Sequence, residues 1–125
     1  MKNIFILIVI IVMFGCGAND KKKTEEPPVA NINGEQLFKD NCASCHKCLV
    51  DFTGPALKGA SQRWGDKALL YDFVRSPFSV IEKSEYAKNL QKKFGGAVMT
   101  PFTLSDKEID AILEHCETID PAPAK

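Results

Sequence analysis

The sequence predicts an all-α domain of about four helices, and three observations point to it. Apolar residues recur at helical spacing in two stretches, Leu69, Leu70, Phe73 and Val74 in one and Ile109, Ile112, Leu113 and Cys116 in the other. Side chains three and four apart share one face of a helix. No stretch alternates apolar and polar residues convincingly enough for a half-buried strand. The residues able to build a core fall within 33–118, enough chain for one small domain.

The chain opens with Lys2 and an apolar run from Ile4 to Phe14 that stops at Gly15 and Cys16. A spanning helix needs about 20 apolar residues, so this shorter run fits the core of a secretory signal. Small Gly15 directly before Cys16 resembles the cleavage box of bacterial lipoproteins, whose cysteine is acylated and becomes the mature N-terminus. Residues 1–15 therefore read as a lipoprotein signal peptide with lipidation at Cys16; the alternative is an uncleaved N-terminal anchor. Residues 16–32 are charged and proline-containing, with almost no large apolar group, which is the composition of a flexible tether. Residues 119–125 form a short tail. The sequence holds 16 Lys and Arg against 16 Asp and Glu, and loss of Lys2 with the signal leaves one excess acid. A nucleic-acid-binding chain shows a basic excess, so no nucleic-acid partner is expected.

Within 33–118 the elements follow in order. A first helix runs from Asn33 into a cysteine cluster, with Leu37 and Phe38 on its inner face. Gly54, Pro55 and Gly59 break the stretch 52–64 into a loop. A second helix covers 66–75, and Pro77 starts a new segment after Ser76. A third helix over 84–94 is closed by Gly95 and Gly96, and a loop carrying Met99 follows. The last helix opens at Ser105, where Ser105 and Glu108 fit a capping box.

The chemistry concentrates at residues 41–48, NCASCHKC. The spacing Cys42-x-x-Cys45-His46 is that of covalent c-type haem attachment. Two cysteines three apart can each bond one vinyl group of a single porphyrin, and the histidine after the second then sits under the iron as an axial ligand. Once Met1 and Met13 leave with the signal, Met99 is the one methionine left to oppose it. A thioether there raises the reduction potential relative to two nitrogen ligands and fills the sixth position. The competing readings are a core role for Met99 and ligation by His115 on the last helix.

Three rivals use the same residues. Cys42, Cys45 and Cys48 make a run like that of iron–sulfur ferredoxins, but the fourth cysteine of that pattern is Phe52 here, followed by Thr53 rather than proline. A zinc site on Cys42, Cys45, Cys48 and His46 is crowded and lacks a second knuckle. A thioredoxin-type disulfide needs a strand-rich scaffold.

The chain resembles the class I monohaem cytochromes c. GEQLFKDNCASCH matches the family's opening helix, with Gly34 and Phe38 at its packing positions; GPAL matches the loop after the haem motif; MTPF resembles the distal methionine loop; and LSDKEIDAILEHC resembles the closing helix that crosses the first. The resemblance implies a class I fold around one covalent haem c, with the carbonyl of Pro55 accepting the N–H of His46. GPALKGASQRW resembles small lipid-anchored cytochromes of bacterial respiratory chains, which implies that Arg63 and Trp64 face the haem propionates; a surface cation beside a core tryptophan is the other reading. One departure is His115, which stands where the family has an aromatic on the last helix, so that contact is expected to be looser. Because the first and last helices cross in this family, the resemblance also implies that Cys48 and Cys116 come close enough for a disulfide. Two free thiols are the alternative.

The function implied is that of a single-electron carrier, not an enzyme, held by its lipid at the periplasmic side of a bacterial membrane. Its partners would be membrane-bound respiratory complexes: a quinol-oxidising complex and a terminal oxidase or reductase. If Met99 did not bind iron, an open sixth site would instead suit a gas sensor or weak peroxidase.

Overall fold

The computed structural model describes residues 31–121. The signal peptide, the lipidation site Cys16 and nearly all of the tether lie outside the described residues. Those described form six helices and no strand: α1 (Gly34–Asn41), α2 (Ala60–Trp64), α3 (Lys67–Arg75), α4 (Pro77–Lys83), α5 (Glu85–Lys93) and α6 (Asp106–Thr118).

Local chemistry sets most of the boundaries. Asn33 caps α1, its side-chain oxygen accepting the Gln36 N–H at 3.0 Å. Asp66 caps α3 through the N–H groups of Ala68 and Leu69, at 2.9 and 3.2 Å. Pro77 takes the first position of α4, where a missing N–H costs nothing. Ser105 and Glu108 form a reciprocal capping box at the start of α6. The count exceeds the expected four because two elements carry no periodic signal of their own: α2 is five residues long, and α4 is the short segment that Pro77 opens.

Two contacts hold α1 against α6. Gly34 of α1 lies against Ala111 of α6 so closely that a Cβ would sit 2.0 Å from the Ala111 carbonyl oxygen. Beside that crossing the Phe38 and His115 rings pack tilted, with centroids 5.7 Å apart. The α6 stripe of Ile109, Ile112, Leu113 and Cys116 is buried along its length. Ile109 and Leu113 join Ala60 and Leu70 in the core, with Trp64, Tyr71, Val74 and Leu104 packed against them. Among the described residues no polar or charged residue is buried.

Candidate functional site

The cysteine cluster begins where α1 ends. The helix closes as the N–H groups of Cys42 and Ala43 both turn to the Phe38 carbonyl, and the chain tightens further as those of Cys45 and His46 turn to the Cys42 carbonyl. Cys42, Cys45 and His46 thus share one tight turn, and Cys42 and Cys45 are free thiols. Burial, reinforced by the adjacent Cys45 thiol, pushes the Cys42 thiol up to about 11. Cys42 is therefore a neutral thiol at pH 7.

His46 is fixed by the loop that follows. Its Nδ1 donates to the Pro55 carbonyl oxygen at 2.8 Å, which leaves Nε2 as the ring's remaining donor atom. Gly54, next to Pro55, lies flat against the imidazole: a Cβ there would come 2.5 Å from Cε1 of His46. The two limbs of the loop are also tied to each other, the Gly54 N–H to the Cys45 carbonyl at 2.8 Å, Leu57 to Lys47 at 3.0 Å and Lys58 to Cys48 at 2.9 Å. Asp51 closes the tip by accepting the Ala56 N–H at 2.9 Å.

Cys48 lies two residues beyond His46 and is bonded to Cys116 of α6, with Cα atoms 4.9 Å apart. That bond takes Cys48 out of any zinc or iron–sulfur ligand set, and no cluster of three or more His, Cys, Asp and Glu side chains suited to a metal ion occurs among the described residues. The residues present fit a covalent haem instead: two free thiols three apart, and a histidine whose second nitrogen is already committed to a carbonyl.

The remaining candidates are spread around this turn. Met99 is half-buried on the irregular segment between α5 and α6. That segment is pinned at both ends, by the Gly96 N–H on the Gln91 carbonyl at 2.9 Å and the Phe102 N–H on the Val74 carbonyl at 3.0 Å. Arg63 donates to the carbonyls of Lys58 and Ala56, so it braces the loop that carries Pro55. Trp64 packs on Phe73 and Tyr86, with centroids 4.8 and 5.0 Å away. The role of Gly54 was not read from the sequence. Its one signal was its place next to the proline expected to hold His46.

The comparisons with known proteins agree with this geometry. The sequence model of the cytochrome c family matches residues 32–120. Cytochrome c6 of Diacronema lutheri is 30% identical over 83 residues, which cover 66% of this chain and 88% of that protein. The solved cytochrome c of Rhodothermus marinus superposes with a TM-score of 0.58 at 31% identity, covering 68% of this chain and 74% of that one. An engineered form of that protein, solved with a carbene intermediate bound, gives 0.55 at 30% identity, with 68% and 74% covered. The chain belongs to the cytochrome c family, as a class I monohaem cytochrome c whose one haem c is covalently attached and serves electron transfer.

Proposed function

We propose that this chain carries single electrons between membrane-bound respiratory complexes, with haem bonded to Cys42 and Cys45 and iron held between His46 and Met99. The observation that carries this reading is the 2.8 Å hydrogen bond from His46 Nδ1 to the Pro55 carbonyl. It orients the ring, raises its basicity and leaves Nε2 for the metal. Bound haem supplies a reversible ferric–ferrous couple.

The protein's part is to hold that couple rigidly and keep other reactants out. The doubly pinned segment between α5 and α6 suits Met99 to a fixed sixth position, closed to oxygen and peroxide. Two carbonyl bonds use two of the five guanidinium N–H donors of Arg63, so it can brace the proximal loop and still meet a haem propionate beside Trp64.

Residues 1–15 are the signal and 16–32 the tether, with Cys16 lipidated at the periplasmic face of a bacterial membrane. The domain 33–118 then reaches a quinol-oxidising donor and a terminal oxidase or reductase as acceptor. Among the described residues, no helix is long and apolar enough to cross a membrane.

An absorption spectrum of protein matured in a host with haem c assembly machinery tests this directly. A covalent c-type spectrum with a methionine–iron charge-transfer band, unaltered by carbon monoxide, is the expected result. A c-type spectrum lacking that band and shifting on carbon monoxide would turn the reading toward a sensor or weak peroxidase. No haem would overturn it.

A further inference from the structure

Residues 42–59 contain no helix or strand, yet they carry Cys42, Cys45, His46, Gly54 and Pro55. The backbone bonds between its two limbs tie the segment to itself, and the structure adds three ties to one element, the C-terminal end of α6. Cys48 is bonded to Cys116. The Gly59 N–H donates to the Glu117 carboxylate at 2.6 Å. The Lys58 ammonium donates to the Ile119 carbonyl, just past the helix end, at 2.6 Å.

The three ties differ in strength and in what they hold. Glu117 and Lys58 act through exposed or half-exposed hydrogen bonds, for which water competes. The disulfide is covalent, and Cys116 is 0% exposed while Cys48 is 7% exposed. Cys48 also sits at the crossing of both limbs: its own carbonyl accepts the Lys58 N–H, and its neighbour Lys47 accepts that of Leu57. Fixing Cys48 to α6 therefore fixes residues 57 and 58 against residues 47 and 48. Pro55 and His46 lie just beyond on the two limbs. Since α6 is seated on α1 at Gly34 and Ala111, and α1 leads directly into Cys42, the disulfide closes a ring around the proximal ligand.

We propose that the Cys48–Cys116 disulfide is a positioning element for His46, holding the two limbs in register so that the His46–Pro55 hydrogen bond persists. This inference rests on His46 being the iron's proximal ligand. Stability alone would ask only that the bond close a long loop. The placement two residues from the ligand, at the point where the limbs pair, gives it the further role.

The test is the solvent-exchange rate of the His46 Nδ1 proton in the haem-loaded protein, followed by NMR. The Cys48→Ala/Cys116→Ala double variant is compared with Val80→Ala, a cavity variant in α4 that also lowers the melting temperature but lies on an element outside the ring. The double variant is expected to exchange that proton at least tenfold faster, with Val80→Ala within twofold of the parent. Equal acceleration in both variants, or none in the double variant, would overturn the proposal. If the double variant fails to accumulate, the parent protein serves instead. Its ferrous form is compared before and after a phosphine opens the disulfide, with the Cys48 and Cys116 thiols verified by mass; the same tenfold criterion applies. A chain that matures without covalent haem would overturn the reading of His46 and the clamp with it, whereas a haem-loaded chain with unchanged exchange overturns the clamp alone.

Discussion

The imidazole of His46 is held between two consecutive residues, donating to the carbonyl of Pro55 at 2.8 Å and lying flat on Gly54. The hydrogen bond sets where the ring points, and the glycine sets how close it can come. A side chain at 54 would have to displace the ring or the loop, because its Cβ would stand 2.5 Å from Cε1. Gly54→Ala is therefore expected to destabilise the haem-loaded protein by about 1–3 kcal/mol, the usual cost of overpacking. Thermal unfolding checks the magnitude. The same variant should weaken the His46–Pro55 bond, visible as faster exchange of the Nδ1 proton.

The crossing of α1 and α6 is tighter still. At Gly34 the obstacle is backbone, the Ala111 carbonyl oxygen 2.0 Å from a built Cβ, and backbone cannot rotate aside as a side chain can. Gly34→Ala should force the two helices apart and cost about 3 kcal/mol, at the upper end of the overpacking range. A loss of that size lowers the melting temperature of a domain this small by more than 10 °C, roughly, at about 4–8 °C per kcal/mol. A change of only a few degrees would show that α1 can slide on α6.

The α3–α6 contact is expected to make stability depend on pH. Asp110 accepts from the Tyr71 hydroxyl at 2.6 Å and pairs with Lys67 at 2.7 Å. Partial burial works to raise its pKa, but the hydrogen bonds from Lys67 and Tyr71 outweigh it and hold the carboxyl below its usual 3.8. A folded-state pKa below the unfolded one means that the contribution is complete above the unfolded value and disappears as pH falls through the folded one. Asp110→Asn should therefore cost about 1 kcal/mol at pH 7, a modest figure because the carboxylate is partly solvated. The gap between parent and variant should narrow below pH 3.8, as denaturant unfolding at pH 7 and at pH 3 will show.

Much of this architecture was legible in the residues, and the rest was not for identifiable reasons. The buried stripe of Ile109, Ile112, Leu113 and Cys116 follows from periodicity alone, because α6 is 13 residues long and its pattern repeats over several turns. The Ser105–Glu108 box is equally local. By contrast α2 has five residues, too few for a period to show. The place of Gly54 against His46 and the ties from Lys58 and Gly59 to the end of α6 depend on residues far apart in sequence, which no local pattern encodes. Arg63 illustrates the same limit: the family resemblance implied a propionate contact for it, while its bonds to Ala56 and Lys58 depend on how the loop folds back over α2.

Cys16 lies beyond the described residues, and its role is read from the short apolar run before it. Cys16→Ala should release the protein from the membrane fraction if acylation is the anchor. Fractionation of cells expressing the variant decides between the two readings. Release supports a lipidated, cleaved N-terminus; continued attachment would point to the apolar run itself as an uncleaved anchor.

Met99 bears on the choice between electron carrier and ligand-binding haem protein. Its segment is tied at Gly96 and Phe102, so replacing the side chain should leave the backbone in place and remove only the thioether. With no soft donor opposite His46, Met99→Ala is expected to bind carbon monoxide in the reduced state and to lose the methionine–iron charge-transfer band. Its potential should fall by something on the order of 0.1 V, within the roughly 0.8 V that axial ligation spans, because a thioether favours the ferrous state more than water or a second nitrogen does. Redox titration and carbon monoxide difference spectra measure the two effects separately. A variant that loses neither the band nor its resistance to carbon monoxide would remove Met99 from the iron, and a second replacement, His115→Ala, would then show whether the competing histidine holds the sixth position.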